Sequence, residues 1–182
     1  MYATVETFTG HFVDLLDPQP DTICIEDIAW SLAGQVRWNA HGALRYTVAD
    51  HSIACAEYAA EIGALPRMQL ECLMHDAAEA YIGDVVMPLK HIPAIHALIK
   101  PIEHRIQKVL WKTLTGFAGI GHRTAVKEID QMMLLAEARA FMPSRGKYIR
   151  DVDMIDTVIK ADARARGRFL LLFKTLLKEC KI

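Results

Sequence analysis

Two consecutive stretches mark out their own boundaries. "TVADHSIACAEYAAEIG" opens on Thr47, with Asp50 three residues on, and closes on Gly63; "PRMQLECLMHDAAEAYIG" opens on Pro66 and closes on Gly83. A threonine N-cap, a proline where the first turn needs no N–H, and a terminal glycine at each end predict two helices joined by a short link. Residues 47–83 therefore predict packed helices. The same signals recur along the chain. "IEDIAWSLAGQ" carries apolar residues at Ile25, Ile28, Ala29 and Leu32, with acids near its start. "IPAIHALIKPIEHRIQKVLWKTL" is amphipathic, with Pro101 predicting a bend or a division into two. "RTAVKEIDQMMLLAEARAFM" and "DVDMIDTVIKADARARGRFLLLFKTLLKEC" complete the set. Residues 1–22 read as extended up to Pro18 and Pro20, a short hairpin or strap. The expected fold is all-α: one domain over 1–182, a bundle of six or seven helices with a short extended N-terminal segment.

Composition narrows the function. The net charge of −1 gives no global field to attract a nucleic acid polymer or an anionic membrane, so an anionic ligand must be held by local basic residues. No apolar run approaches the ~20 residues that a membrane span needs. The N-terminus lacks the basic-then-apolar order of a signal peptide. Cys24, Cys55, Cys72 and Cys180 show no CxxC spacing and read as reduced thiols, two on apolar helix faces, of a cytoplasmic protein. "GFAGIGH", Gly116 to His122, superficially resembles a phosphate loop but follows a helix rather than a strand, and reads as a helix–helix connection.

Three polar features sit where apolar residues are expected. His75 and Asp76 lie among Leu73, Met74, Ala77 and Ala78; His51 shares a face with Val48, Cys55 and Ala59; Asp130 borders the stripe of Val126, Ile129, Met133 and Leu134. A buried carboxylate costs several kcal/mol unless paired. Singly, such a histidine is usually a hydrogen-bonded core residue, and such an aspartate usually sits at the solvent border. Together, two imidazoles and two carboxylates suit a divalent Mn, Co, Fe, Ni or Zn ion, if packed helices bring them to one point.

The arrangement "DHS" around His51, "HD" at His75–Asp76 and "EID" ending at Asp130 resembles the H…HD…D pattern of HD-domain metal-dependent phosphohydrolases. Together with "RWNAHG" (37–42), "YTVADHS" (46–52), "HDAAEAYIGDVVMPLK" (75–90) and "VKEID" (126–130), it looks like the subgroup of bacterial 5′-deoxyribonucleotidases and phage dATP triphosphohydrolases. The resemblance implies an HD-domain helical bundle with His51, His75, Asp76 and Asp130 as metal ligands. It implies that Glu79, on the face of His75 and Asp76, activates or orients the attacking water, and that Asp84 contacts substrate or transfers a proton. Lys90 and Lys127 match phosphate-contacting lysines. Arg37 and Trp38 match an Arg-Trp pair that meets phosphate and sugar, the indole excluding a 2′-hydroxyl. Without the resemblance, Glu79 is a solvated helix carboxylate, Asp84 a turn residue, Trp38 an ordinary aromatic, and the lysines surface charges. The fourteen residues from Arg37 to His51 are one fewer than in the related nucleotidases, which bears on Trp38; Arg45 is the alternative phosphate contact.

The resulting expectation is an enzyme that hydrolyses deoxynucleoside 5′-phosphates. Triphosphates, dATP above all, are favoured because "IEDIAWSL" and "RWNAHG" look more like phage proteins. The alternatives are a nucleotidase for monophosphates and, in another class, a nucleotide- or metal-binding module without turnover. His91, His96 and His104 read as surface or interface residues, His41 as the pocket rim, and His11 and His122 as lacking partners. The apolar "FLLLFKTLLKEC" either caps the core or joins subunits, and the resemblance implies a homo-oligomer.

Overall fold

The N-terminal segment is a hairpin in the computed structural model, which describes residues 3–150, 152–155 and 157–181. Strands β1 (Thr4–Glu6) and β2 (Phe12–Asp14) pair antiparallel, with Val5 opposite Val13. Asp27 pins this hairpin to the helices by accepting from the Thr7 and Thr9 hydroxyls and from the Thr9 amide, each at 2.8 Å. Burial works against the Asp27 charge, but these donors hold its carboxyl below the usual range. A 3₁₀ turn, Pro20–Thr22, follows, and a second lies at Trp38–Ala40.

The rest is helical: α1 (Ile25–Gly34), α2 (Val48–Glu61), α3 (Pro66–Leu73), α4 (Glu79–Ile82), α5 (Met87–Lys90), α6 (Pro93–Thr115), α7 (Arg123–Phe141) and α8 (Ala165–Glu179). The punctuation read from the sequence is present. Thr47 and Asp50 form a reciprocal capping box at the start of α2, and Pro66 is the first residue of α3. Apolar faces of α1, α2, α3, α6, α7 and α8 meet in one core that includes Ile28, Leu32, Leu70, Ile106, Met133 and Phe169. α8 packs on α1, α2 and α3 and so caps that core. Among the described residues no helix is long and apolar enough to cross a membrane. All four cysteines are free, and Cys55 and Cys72 are buried.

Three expectations change. Residues 66–83 are not one helix: α3 stops at Leu73, and Met74–Ala78 form turns held by three-residue bonds, such as Ala77 N to Met74 O, before α4 begins. The last helix starts at Ala165; residues 151 and 156 of its expected first half lie outside the described residues, and 152–155 and 157–162 form no helix. The β-branched Val152, Ile155, Thr157, Val158 and Ile159 weaken helix there. Asp50 Oδ1 instead accepts from the Asp162 amide, while Ile155 and Ile159 pack on the core. Pro101 does not divide α6, which runs through it as one helix. The 116–122 segment is a helix connection, as expected, with Gly116 in the left-handed region at φ 78°.

Candidate metal centre

His51 projects from the first turn of α2 and is fully buried. Its Nδ1 lies 2.5 Å from Oε1 of Glu137, a fully buried residue on α7. Glu137 Oε2 accepts from Arg37 Nε at 3.1 Å and from Trp38 Nε1 at 3.4 Å. Burial would raise the Glu137 carboxyl, but Arg37 and His51 hold it below the usual range, so it is an acceptor. The His51 Nδ1 therefore carries the hydrogen, and Nε2 turns a lone pair inward. His75 follows the same logic: its Nδ1 lies 2.7 Å from the Cys72 carbonyl, which can only accept, leaving Nε2 free.

Those two nitrogens face each other at 3.3 Å. Asp130 Oδ1 lies 3.1 Å from His51 Nε2 and 3.7 Å from His75 Nε2. Asp76 Oδ2 lies 3.2 Å from His75 Nε2 and 3.7 Å from His51 Nε2. Two inward lone pairs and two carboxylate oxygens converge there, and they repel unless a proton or a cation sits among them. Ligands about 2.1 Å from an ion stand about 3.0–3.4 Å apart at octahedral or tetrahedral angles, close to these spacings. The donor set thus fits a metal ion. Burial, and for His51 also Arg37, would depress both imidazoles, but Cys55 and Glu137 beside His51, Asp76 beside His75, and Asp130 beside both outweigh it and raise both well above their ordinary value. Asp76 and Asp130, despite burial, are held low by the same histidines.

A thiol joins this cluster. His51, Cys55 and His75 each offer a ligand atom, all within 4.8 Å of one another, a group able to hold a metal ion. Cys55 Sγ stands 3.7 Å from His51 Nε2 and 3.9 Å from Nδ1, so it lies over the ring face, off the line of the Nε2 lone pair. From the sequence, Cys55 was expected to be a core thiol only.

The irregular Met74–Ala78 turn is clasped by a glutamine: Gln107, on α6, donates to the Met74 carbonyl at 2.7 Å and accepts from the Ala78 amide at 3.2 Å. Gln35 does the same for the next segment, donating to the Glu79 carbonyl and accepting from the Asp84 amide, both at 2.9 Å. Glu79 is buried, and Lys90 donates to its Oε1 at 2.8 Å, while Oε2 has no partner. Burial, and then the charge of Asp76, push the Glu79 carboxyl up to about 8. Burial also raises Asp84, against the pull of Arg37.

The remaining expected residues divide around the cluster. Arg37 is buried between Glu137 and Asp76, 3.7 Å from the latter, so its charge serves the carboxylates already present. Arg37, Trp38 and Asp84 line a recess of about 90 Å³ with Met87 and Leu134. Trp38, Asn39 and Ala40 all adopt positive φ, held by contacts to the end of α7: Trp38 to Glu137, and the Ala43 amide to the Phe141 carbonyl at 3.0 Å. Lys127 is exposed on α7 beside Asp130. His41 and Arg45 are exposed, as are His91, His96 and His104. His11 and His122 do have partners: His11 Nδ1 meets the Thr9 hydroxyl at 2.7 Å, and His122 Nδ1 meets Glu71 at 3.0 Å. Glu71 also accepts from the Gly121 and His122 amides, so a carboxylate of the chain itself fills the glycine-rich connection.

Sequence reasoning missed Glu137, which follows Asp130 by seven residues and so falls on the same stripe of α7. That spacing was the available signal.

No family model matches the chain. An uncharacterized protein of Rhodobacter capsulatus is 44% identical to it over 86 residues, covering 45% of this chain and 44% of that protein. The uncharacterized protein YfdR of Escherichia coli is 30% identical over 184 residues, covering 97% of this chain and 98% of its own length. With that identity sustained from end to end, the chain belongs to the same family as YfdR.

Proposed function

We propose that the protein is a metal-dependent phosphohydrolase of deoxynucleoside 5′-phosphates, acting preferentially on triphosphates, with dATP the favoured substrate. The observation that carries this reading is the convergence of His51 Nε2, His75 Nε2, Asp76 Oδ2 and Asp130 Oδ1. Divalent Mn, Co, Fe, Ni or Zn suits these nitrogen and oxygen donors. Bound among them, the ion would polarise a phosphoryl group and make water a better nucleophile at neutral pH. Asp130 and Asp76 keep partial solvent access, 32% and 18% of their side chains, so the cluster opens to water and substrate as catalysis requires.

Glu79 supports turnover rather than mere binding. Lys90 holds Oε1, and the buried, unpartnered Oε2 is the atom left to orient the attacking water, on a carboxyl that burial and Asp76 raise to about 8. Lys127 supplies a positive charge beside Asp130 for a phosphoryl oxygen. Trp38 in the recess supports a sugar contact, and its indole would crowd a 2′-hydroxyl. The test is chromatographic product analysis with Mn²⁺ or Co²⁺ against dATP, dGTP, dAMP and ATP. Release of triphosphate and deoxyadenosine from dATP, with ATP spared, is expected. Reaction of monophosphates alone would make the protein a nucleotidase, and no turnover with any metal would leave a binding module.

A further inference from the structure

A cleft of about 670 Å³ opens between α6 and α7, with His75, Asp76 and Asp130 in its wall. Two side-chain stripes face each other across it. On α7, Arg123, Lys127 and Asp130 follow the i, i+4, i+7 spacing that keeps residues on one side of a helix; on α6, Lys100, His104 and Gln107 repeat that spacing. Lys100, Arg123 and Lys127 have no carboxylate within ion-pair distance among the described residues. Of the acids on the same walls, Glu71 is bound by Arg67 and two backbone amides and Asp76 and Asp130 belong to the donor cluster, which leaves Glu103, three residues from Lys100 on α6, against the three cations. One end of the cleft is thus a metal-ligand set, and free cations extend away from it.

The spacing selects the ligand. Arg123 lies seven residues from Asp130, about 10.5 Å along the helix axis, whereas Lys127 is one turn away. A single phosphate at the cluster meets Lys127; an anion that also engages Arg123 and Lys100 must be extended and carry several charges. We propose that this cleft takes the outer phosphates of a nucleoside triphosphate, with Arg123 and Lys100 as the residues that set preference for a polyphosphate chain over a single phosphate. The assignment of the chain to a nucleotide rests on the function proposed above; the anion preference does not.

The test pairs a binding measurement with a turnover measurement. Calorimetry with Mn²⁺ in excess compares inorganic tripolyphosphate with orthophosphate on the full-length protein. Wild type is expected to prefer tripolyphosphate, and Lys100→Ala with Arg123→Ala to reduce that preference about 100-fold, about tenfold for each cation removed. Arg123→Lys should restore part of it. Both residues are exposed, and an unchanged melting temperature checks that the variants fold. The ratio of kcat/KM for dATP to that for dAMP should fall in parallel. Equal binding of the two anions by wild type, or an unaltered preference in the double variant, overturns the cleft assignment. A tripolyphosphate preference abolished in the double variant, with no nucleotide hydrolysed, keeps the cleft and sinks the nucleotide reading alone.

Discussion

Glu137 shows how one carboxylate organises several groups. It fixes the His51 tautomer and anchors Arg37, and through Trp38 it holds a loop whose residues 38–40 all have positive φ. Partners behind a ligating histidine typically change metal affinity about 10–100-fold. Glu137→Gln is therefore expected to weaken Mn²⁺ or Co²⁺ binding by that factor in calorimetry, with Asp130→Ala removing it altogether; unchanged affinity in Glu137→Gln would rule out the orienting role. His51, His75, Asp76 and Asp130 stood out in the sequence as polar residues on or beside apolar faces, but their joining into one ligand set came from the resemblance. Glu137 carried a signal only in its seven-residue spacing from Asp130, because a glutamate between Ala136 and Ala138 near a helix end otherwise looks like any surface carboxylate. Glu71 gives a separate prediction at the same scale. Burial opposes its charge, but the Gly121 amide, Arg67 and His122 hold its carboxyl below its ordinary value. A depressed pKa stabilises the fold above the unfolded value of about 4.5, and that stability is lost as pH falls through the lower folded value. Glu71→Gln should cost about 2 kcal/mol at pH 7 in denaturant unfolding, and the gap between variant and wild type should close in acid. A gap independent of pH would mean that the charge contributes nothing.

At the scale of elements, the decisive feature is a helix that fails to continue. Periodicity predicted helix from Pro66 to Gly83, since nothing in "LMHDAAEA" breaks one locally. The interruption at Met74–Ala78 comes from long-range bonds, with Gln107 satisfying an amide and a carbonyl that an α-helix would otherwise pair. Local propensity cannot reveal a partner about thirty residues away in sequence, so this turn was not legible. Gln107→Leu strands those two groups and is expected to cost about 2 kcal/mol, together with a measurable loss of metal affinity because His75 and Asp76 sit inside the clasped turn. Loss of stability with affinity intact would show that the clasp does not position the ligands. The hairpin offers a contrast: its existence was read from β-forming residues before Pro18, but its anchor, Asp27, looked like a helix-start acid. In Asp27→Ala, amide exchange in β1 and β2 should accelerate while α2 stays protected; uniform acceleration would make the hairpin part of the cooperative core.

For the whole molecule, six longer helices gather four donors from α2, the 74–78 turn and α7 to one point, and the free energy of that gathering depends on what occupies it. Without an ion, the raised imidazoles keep protons between their nitrogens and the carboxylates; a bound ion must displace them. Metal binding near pH 7 is accordingly expected to release protons and to weaken as pH falls, which calorimetry in two buffers of different ionisation enthalpy measures directly. The overall architecture was readable because helix caps and apolar stripes are local signals, whereas the convergence of their polar residues is a property of the packed whole. At this scale the proposed function requires a metal that serves chemistry rather than folding. The most direct test is to strip the protein with a chelator, follow its helical circular dichroism, and assay dATP hydrolysis before and after restoring Mn²⁺. An unchanged spectrum is expected, with hydrolysis abolished without metal and recovered with it. Hydrolysis persisting after complete metal removal, or helical structure collapsing with the metal, would contradict a catalytic ion held by a preformed bundle.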